Sequence, residues 1–200
     1  MLILIESPPG ARGVKDRDRL TWYAEDGTQK DGTQEEKTMA LKVGDTAPDF
    51  ELQAVRGEQH LKVKLSDYLG KSNVVVSFHP LDWTPTCAAQ VPAFDSDREK
   101  FSALNAQVVD ISVDSIPSKI AWQKKEIGMM QTPMCADFYP HGEVSQMFGI
   151  FRDKPPFPGI CERAVFIVDK GGKIAFAKVY PLDQAPNNQE LLEALKTINA

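Results

Sequence analysis

The segment that most constrains this chain runs from Asn73 to Cys87. Asn73-Val74-Val75-Val76-Ser77-Phe78 is β-branched and apolar on both alternating faces, the pattern of a strand covered on both sides inside a sheet. From Thr86 the apolar period changes, and Val91, Phe94, Phe101 and Leu104 fall on one helical face. Gln107 to Val113 is a second buried strand, so the order at the centre of the chain is strand, helix, strand.

The flanking segments extend that unit. Upstream, Asp49 to Val55 and Leu61 to Leu65 alternate around a turn at Arg56 to Glu58, a hairpin signature. Downstream, Pro117 and Ser118 open a helix reaching about Gly128, Gln131 to Cys135 reads as a short strand, and Glu143 to Phe148 as a short helix. Arg163 to Asp169 and Lys173 to Tyr180 are strands joined by Lys170-Gly171-Gly172. Asn187 and Glu190 resemble a capping box before Leu191, Leu192, Leu195 and Ile198. The order predicts an α/β fold: a mixed central sheet with helices on both faces.

Two hundred residues suit one domain, and 42% apolar with 26% charged residues suits a folded chain. A net charge of −5 without any Lys and Arg run argues against a nucleic-acid partner. No apolar stretch approaches the roughly 20 residues of a membrane span. Residues 1–38 hold Gly, Pro and mixed charges without periodicity, so they are read as a disordered arm, and Met39, which opens the ordered pattern, could serve as the natural start. Met1 to Ile5 is too short and too weakly flanked for a signal peptide. Three widely spaced cysteines, Cys87, Cys135 and Cys161, fit no disulfide framework and point to a reducing, cytoplasmic setting.

The chemistry concentrates where the first buried strand meets its helix. Cys87 falls in the first helical turn, where free N–H groups and the helix dipole favour a thiolate. Lowering a thiol pKa from about 8.5 to about 6 raises the thiolate fraction at pH 7 from roughly 3% to roughly 90%. That thirtyfold gain, on the order of 2 kcal/mol, is too small for fast catalysis, so fixed donors must also stabilise developing charge. Thr84, one turn before Cys87, has a suitable hydroxyl, and Pro80 and Pro85 stiffen the loop.

The run Pro80, Thr84, Cys87, spaced P-x-x-x-T-x-x-C, resembles the active-site motif of the peroxiredoxins, thiol peroxidases on a thioredoxin-like fold. Val43 to Phe50 resembles that family's opening segment, Arg163 to Asp169 its arginine-bearing strand, and Asp137 to Gly149 its alkyl hydroperoxide reductase E branch. The resemblance implies that Cys87 is the peroxidatic nucleophile, that Thr84 and Arg163 hold the peroxide oxygens, and that Pro80 shields the pocket. It implies reduction of hydrogen peroxide and organic hydroperoxides through a sulfenic acid, with electrons from an external thiol such as thioredoxin or a glutaredoxin-like protein and no metal or organic cofactor. It also implies a homodimer, with Trp83, Phe148 and Phe151 as candidate surface residues. Many relatives carry Glu three residues after the nucleophile; here the residue is Gln90, a weaker partner for Arg163.

The alternative reading is a peroxide sensor or redox adaptor passing its oxidation to a partner protein. A thiol–disulfide oxidoreductase is disfavoured because Gln90 stands where its second cysteine would be. His60, His79 and His141 have no zinc-like spacing, and His79 is read as a packing residue. Trp83 is expected to wall the pocket, and Pro92 to kink the helix past Cys87. No cysteine lies five residues after Cys87, so Cys161 and Cys135 remain as possible resolving thiols. If Cys161 extends the strand of Arg163, residues two apart share a face and Cys161 points toward the pocket, whereas Cys135 is read first as a small core residue.

Overall fold

The computed structural model describes residues 39–199, and the predicted arm, 1–38, lies outside them. In chain order the elements are β1 (Glu51–Arg56), β2 (Gln59–Lys64), β3 (Asn73–Phe78), α1 (Pro85–Ser96), α2 (Arg98–Ala103), β4 (Ala106–Ser112), α3 (Ile116–Trp122), β5 (Met134–Ala136), α4 (Glu143–Met147), β6 (Phe151–Arg152), β7 (Ile160–Cys161), β8 (Arg163–Val168), β9 (Ile174–Tyr180) and α5 (Asn188–Ile198). Seven strands form one sheet in the order β2-β1-β5-β4-β3-β8-β9. β3, β4 and β5 are parallel, and the other pairings are antiparallel. This is the mixed, thioredoxin-like α/β sheet that the sequence pattern predicts.

Every residue of β3 is buried, as its two-sided apolar run requires. Val74, Val76 and Phe78 face a core with Leu52, Phe148 and Phe166, while Val75 faces Phe94, Phe101, Leu191 and Leu195. Helices therefore cover both faces: α1, α2 and α5 on the second, α4 on the first. Phe148 is fully buried, with its ring 5.2 Å from Phe78 and 5.1 Å from Phe166, so it is core and not the surface residue expected. The loops after β3, β4 and β5 and the start of β8 meet at one end of the sheet, tied by His79 N–H to the Ile111 carbonyl (3.0 Å) and Asp137 N–H to the Ser112 carbonyl (2.9 Å).

Several boundaries differ from the sequence reading. The helix expected to carry both Val91 and Phe101 breaks at Asp97, whose carboxylate accepts an N–H from Asn188 at 3.0 Å. α1 continues through Pro92 to Ser96. The helix opened by Ser115 and Pro117 tightens differently at its end: a π turn, Gln123–Ile127, stops at Gly128, whose φ of 84° suits glycine. Asn187 caps α5 through the Gln189 amide, but Glu190 is drawn away to Lys178 and Tyr180, so the capping box stays open.

Candidate active site

α1 presents Cys87 in a defined way. Thr84 is the N-cap with extended backbone, Pro85 fills the first helical position where its missing N–H costs nothing, and Cys87 follows two residues later. The preceding residue, Trp83, has φ 65°, an uncommon conformation for a bulky side chain and a strained one. Its indole donates to Ser118 Oγ at 3.2 Å and its ring lies 6.5 Å from Trp122, contacts that hold the turn. Thr84 is half-buried, and its hydroxyl donates to the Leu81 carbonyl at 3.1 Å, leaving lone pairs for a further donor. Pro80 and Cys87 are buried.

Arg163 opens β8 at the same end of the sheet and is 1% exposed. One terminal nitrogen donates to Cys87 Sγ at 3.4 Å and also to the Leu182 carbonyl at 2.7 Å. Its Nε donates to that carbonyl at 3.2 Å, and its other terminal nitrogen donates to Gln90 Oε1. No carboxylate pairs with Arg163 among the described residues. The other partners of the guanidinium are neutral, so its positive charge stands beside the sulfur. Gln90 is thus a full partner of Arg163, and its amide also donates to Ser77 Oγ (3.0 Å) and the Phe78 carbonyl (3.3 Å).

The apolar wall around Cys87 is formed by Val55, Val91, Trp122, Met130 and Met134. Trp83, expected in that role, is 44% exposed and layers outside Trp122. The sequence reading missed Trp122 and the two methionines because they come from α3, the segment after it and the start of β5, distant in the chain.

Beneath the active-site loop lies a buried ion cluster. Asp82 accepts from His79 Nε2 (2.9 Å), Ser112 Oγ (3.3 Å), Ser118 Oγ (3.1 Å) and Lys119 Nζ (3.4 Å), and its own amide donates to Asp114 at 2.9 Å. His79 Nδ1 and Asp110 Oδ2, 2.9 Å apart and without other partners, form a second ion pair. Burial opposes charge on His79, but Asp110 and Asp82 outweigh it and push the imidazole up to about 10. Burial likewise opposes charge on Asp82, yet Lys119 and His79 hold its carboxyl well below the usual range. His79 is therefore a charged structural node and not a mere packing residue. His79, Asp82 and Asp114 bring three candidate ligand atoms within 4.8 Å, but Lys119 and His79 already supply the cations that Asp82 needs, and Asp114 accepts from the Asp82 amide and Ser112 Oγ.

The other two cysteines are buried thiols. Cys161 donates its S–H to the His79 carbonyl at 3.1 Å, at the root of the loop that carries Pro80 and Thr84. It belongs to β7, paired with Phe151, and Glu162 separates it from β8. That break defeats the same-face expectation: Cys161 packs with Phe148 and Ile150, opposite the side on which Arg163 reaches Cys87. Burial, then Asp137, Asp110 and Cys87, push the Cys161 thiol well above its ordinary value. Cys135 sits on β5 in the same core, and burial raises its thiol too.

A thiol, a buried arginine and a threonine-led helix start thus meet at one end of the sheet. The AhpC/TSA family matches residues 43–177. The chain is 35% identical over 161 residues to the chloroplastic 2-Cys peroxiredoxin BAS1 of Hordeum vulgare, covering 78% of this chain and 74% of that protein. It is 32% identical to alkyl hydroperoxide reductase E of Mycobacterium bovis, covering 80% of this chain and 99% of that one. The reduced 2-Cys peroxiredoxin of Plasmodium vivax superposes with a TM-score of 0.73 at 27% identity, over 78% of this chain and 81% of its own. The chain belongs to the AhpC/TSA family, the peroxiredoxins, and it is a thiol-dependent peroxidase.

Proposed function

We propose that Cys87 is the peroxidatic nucleophile, acting on hydrogen peroxide and organic hydroperoxides. The observation that carries this is the Arg163 guanidinium, buried without a carboxylate partner among the described residues and donating to the Cys87 sulfur. The thiolate attacks one peroxide oxygen, the O–O bond breaks, and the departing oxygen leaves as water or an alcohol after taking a proton. Cys87 becomes a sulfenic acid, oxidised by two electrons. Arg163 and the Thr84 hydroxyl are the polar groups available to bind the two oxygens, with Pro80 limiting water entry. Replacing Cys87 with Ser, nearly isosteric, should abolish turnover with the fold intact; activity above about one tenth of the parent would reject the assignment.

An external thiol, such as thioredoxin or a glutaredoxin-like protein, returns the electrons. Cys161 is the resolving thiol we favour over Cys135, because its hydrogen bond to the His79 carbonyl places it against the active-site loop. A Cys87–Cys161 bond needs Cα atoms within about 7 Å. Direct reduction of the sulfenic acid is the alternative, and peptide mapping of oxidised protein separates the two. The relatives' names favour turnover over the sensor reading.

A homodimer and a cytoplasmic setting complete the proposal. Exposed aromatics at or near the active-site end of the sheet, Trp83, Phe138 (54%) and Tyr139 (88%), support an interface, which sedimentation of the reduced protein tests. Three free cysteines support a reducing compartment, and no helix among the described residues is long and apolar enough to cross a membrane.

A further inference from the structure

A threonine at the N-cap of a helix ordinarily turns its hydroxyl inward to accept an amide of the first turn. Thr84 makes no such bond, and its hydroxyl donates instead to the Leu81 carbonyl at 3.1 Å. That carbonyl belongs to the Leu81–Asp82 peptide, a planar unit whose C=O and N–H point in opposite directions. The N–H end of the same peptide donates to Asp114 Oδ2 at 2.9 Å. Asp114 therefore fixes the plane from one side while Thr84 is oriented by it on the other, and an amide that donates to a carboxylate becomes a better acceptor at its own carbonyl. Asp114 is itself held: Ser112 Oγ donates to the same oxygen at 2.8 Å, and the fully buried Lys119 donates to Ser112 at 2.6 Å. The rest of the turn is pinned to α3, where Ser118 Oγ accepts from the Trp83 indole at 3.2 Å and donates to Asp82 Oδ2 at 3.1 Å. These contacts sustain the positive φ of Trp83, which a large side chain keeps only where its surroundings over-determine it.

We propose that Asp114 is a positioning residue for the peroxidase reaction: through the Leu81–Asp82 peptide it holds the Thr84 hydroxyl out of its capping position, which leaves that hydroxyl and the first-turn amides available to the peroxide. The inference rests on the reading of Cys87 as the nucleophile and Thr84 as a peroxide ligand. A carboxylate suits the task because a charge-assisted bond to a backbone N–H is stronger than a neutral one, so the peptide plane is held stiffly. Without Asp114 the peptide is free to rotate, the Leu81 carbonyl swings away, and the Thr84 hydroxyl falls back onto the amide of Thr86 or Cys87, the bond that its place in the helix favours. That single change withdraws a peroxide ligand and occupies an N–H of the turn that carries the sulfur. A misplacement of about 1 Å at a reacting centre is enough to cost up to about a hundredfold in rate, so a residue that never touches the substrate controls the step.

The test is a double-mutant cycle in the full chain, read by the single-turnover rate at which hydrogen peroxide oxidises Cys87. Asp114→Ala should slow oxidation about tenfold where Thr84 is present but less than about twofold in a Thr84→Val chain, because Asp114 then has no hydroxyl to aim. Asp114→Asn, whose amide oxygen still accepts from the Asp82 N–H, should recover the rate to within about threefold of the parent. An aspartate with only a structural role would slow both backgrounds by the same factor. That result overturns the proposal, as does an Asp114→Ala rate equal to the parent's. If Asp114→Ala does not fold by circular dichroism, Asp114→Ser, which is shorter and loses its reach to the Asp82 amide, takes its place in the cycle under the same criteria. The underlying reading is judged by separate arms. Peroxide consumption by Cys87→Ser rejects the nucleophile, and a Thr84→Val rate equal to the parent's removes Thr84 from the pocket and the role of Asp114 with it. A slow Thr84→Val with an undiminished Asp114→Ala effect rejects the role of Asp114 alone.

Discussion

Replacing Arg163 with Met keeps a long, flexible side chain and removes the charge and every donor. The guanidinium stands 3.4 Å from the Cys87 sulfur, and at an effective dielectric of 20 that separation corresponds to about 5 kcal/mol of attraction. Only part of it accelerates the reaction. The same nitrogen is shared with the Leu182 carbonyl, and part of the attraction stabilises the resting sulfur as well as the transition state. A charge-assisted hydrogen bond of about 2 to 3 kcal/mol is the fraction we assign to the reacting centre, or roughly 30- to 150-fold in rate. Stability should change little. The variant leaves Gln90 and Leu182 acceptors unpaired, but it also removes a buried cation that has no carboxylate partner among the described residues. Arg163→Lys should fall between, because a compact ammonium cannot reach the sulfur, Gln90 and Leu182 together. Stopped-flow tryptophan fluorescence under single turnover measures the rate of Cys87 oxidation directly. A rate for Arg163→Met within threefold of the parent, with the melting temperature preserved, would refute the reasoning.

Thr84→Val, which removes the hydroxyl at nearly constant volume, should cost about 10- to 100-fold in the same assay while Tm stays close to the parent's, since the lost bond to the Leu81 carbonyl is half exposed. The His79 imidazole, at about 10 when folded against about 6.5 unfolded, contributes stability that is complete below pH 6.5 and lost as pH rises through 10. Denaturation between pH 6.5 and 7.5, below the range in which free thiols and tyrosines titrate in the unfolded chain, should therefore show a loss of about 1 kcal/mol, and His79→Gln should flatten it; a parent stability constant across that window contradicts the ion cluster as described. A chain beginning at Met39 should retain peroxidase activity and Tm, because the first 38 residues lack the periodicity of buried elements, and a large fall in Tm would show otherwise.

Elements with a strong period were legible in the sequence. β3, β8 and β9 announce themselves by two-sided apolar runs and a Gly-Gly turn, and α5 by its leucine stripe. The Pro80, Thr84, Cys87 spacing and the distant Arg163 were equally legible, and the structure brings Arg163 to the sulfur. Phe148 was misplaced because exposure of an aromatic at the end of a short helix depends on what packs over it, here Phe78 and Phe166 from two central strands. Cys161 was assigned the wrong face because a one-residue break at Glu162 inverts the alternation, and no residue type marks such a break. The role of His79 was hidden because its partners, Asp110 on β4 and Asp82 in the loop, become neighbours only once β3 and β4 pair. Gln90 looked like a weakened contact because a substituted amide reveals its partners only in three dimensions.

The most direct test of the central claim is which sulfur takes the first oxygen. Reduced protein treated with one equivalent of hydrogen peroxide, trapped with a sulfenic-acid reagent, digested and mapped by mass spectrometry reports the site and any disulfide formed. The account predicts that Cys87 carries the adduct or is joined to Cys161, while Cys135 remains a free thiol. Oxidation appearing first at Cys135 or Cys161 with Cys87 still reduced would contradict it.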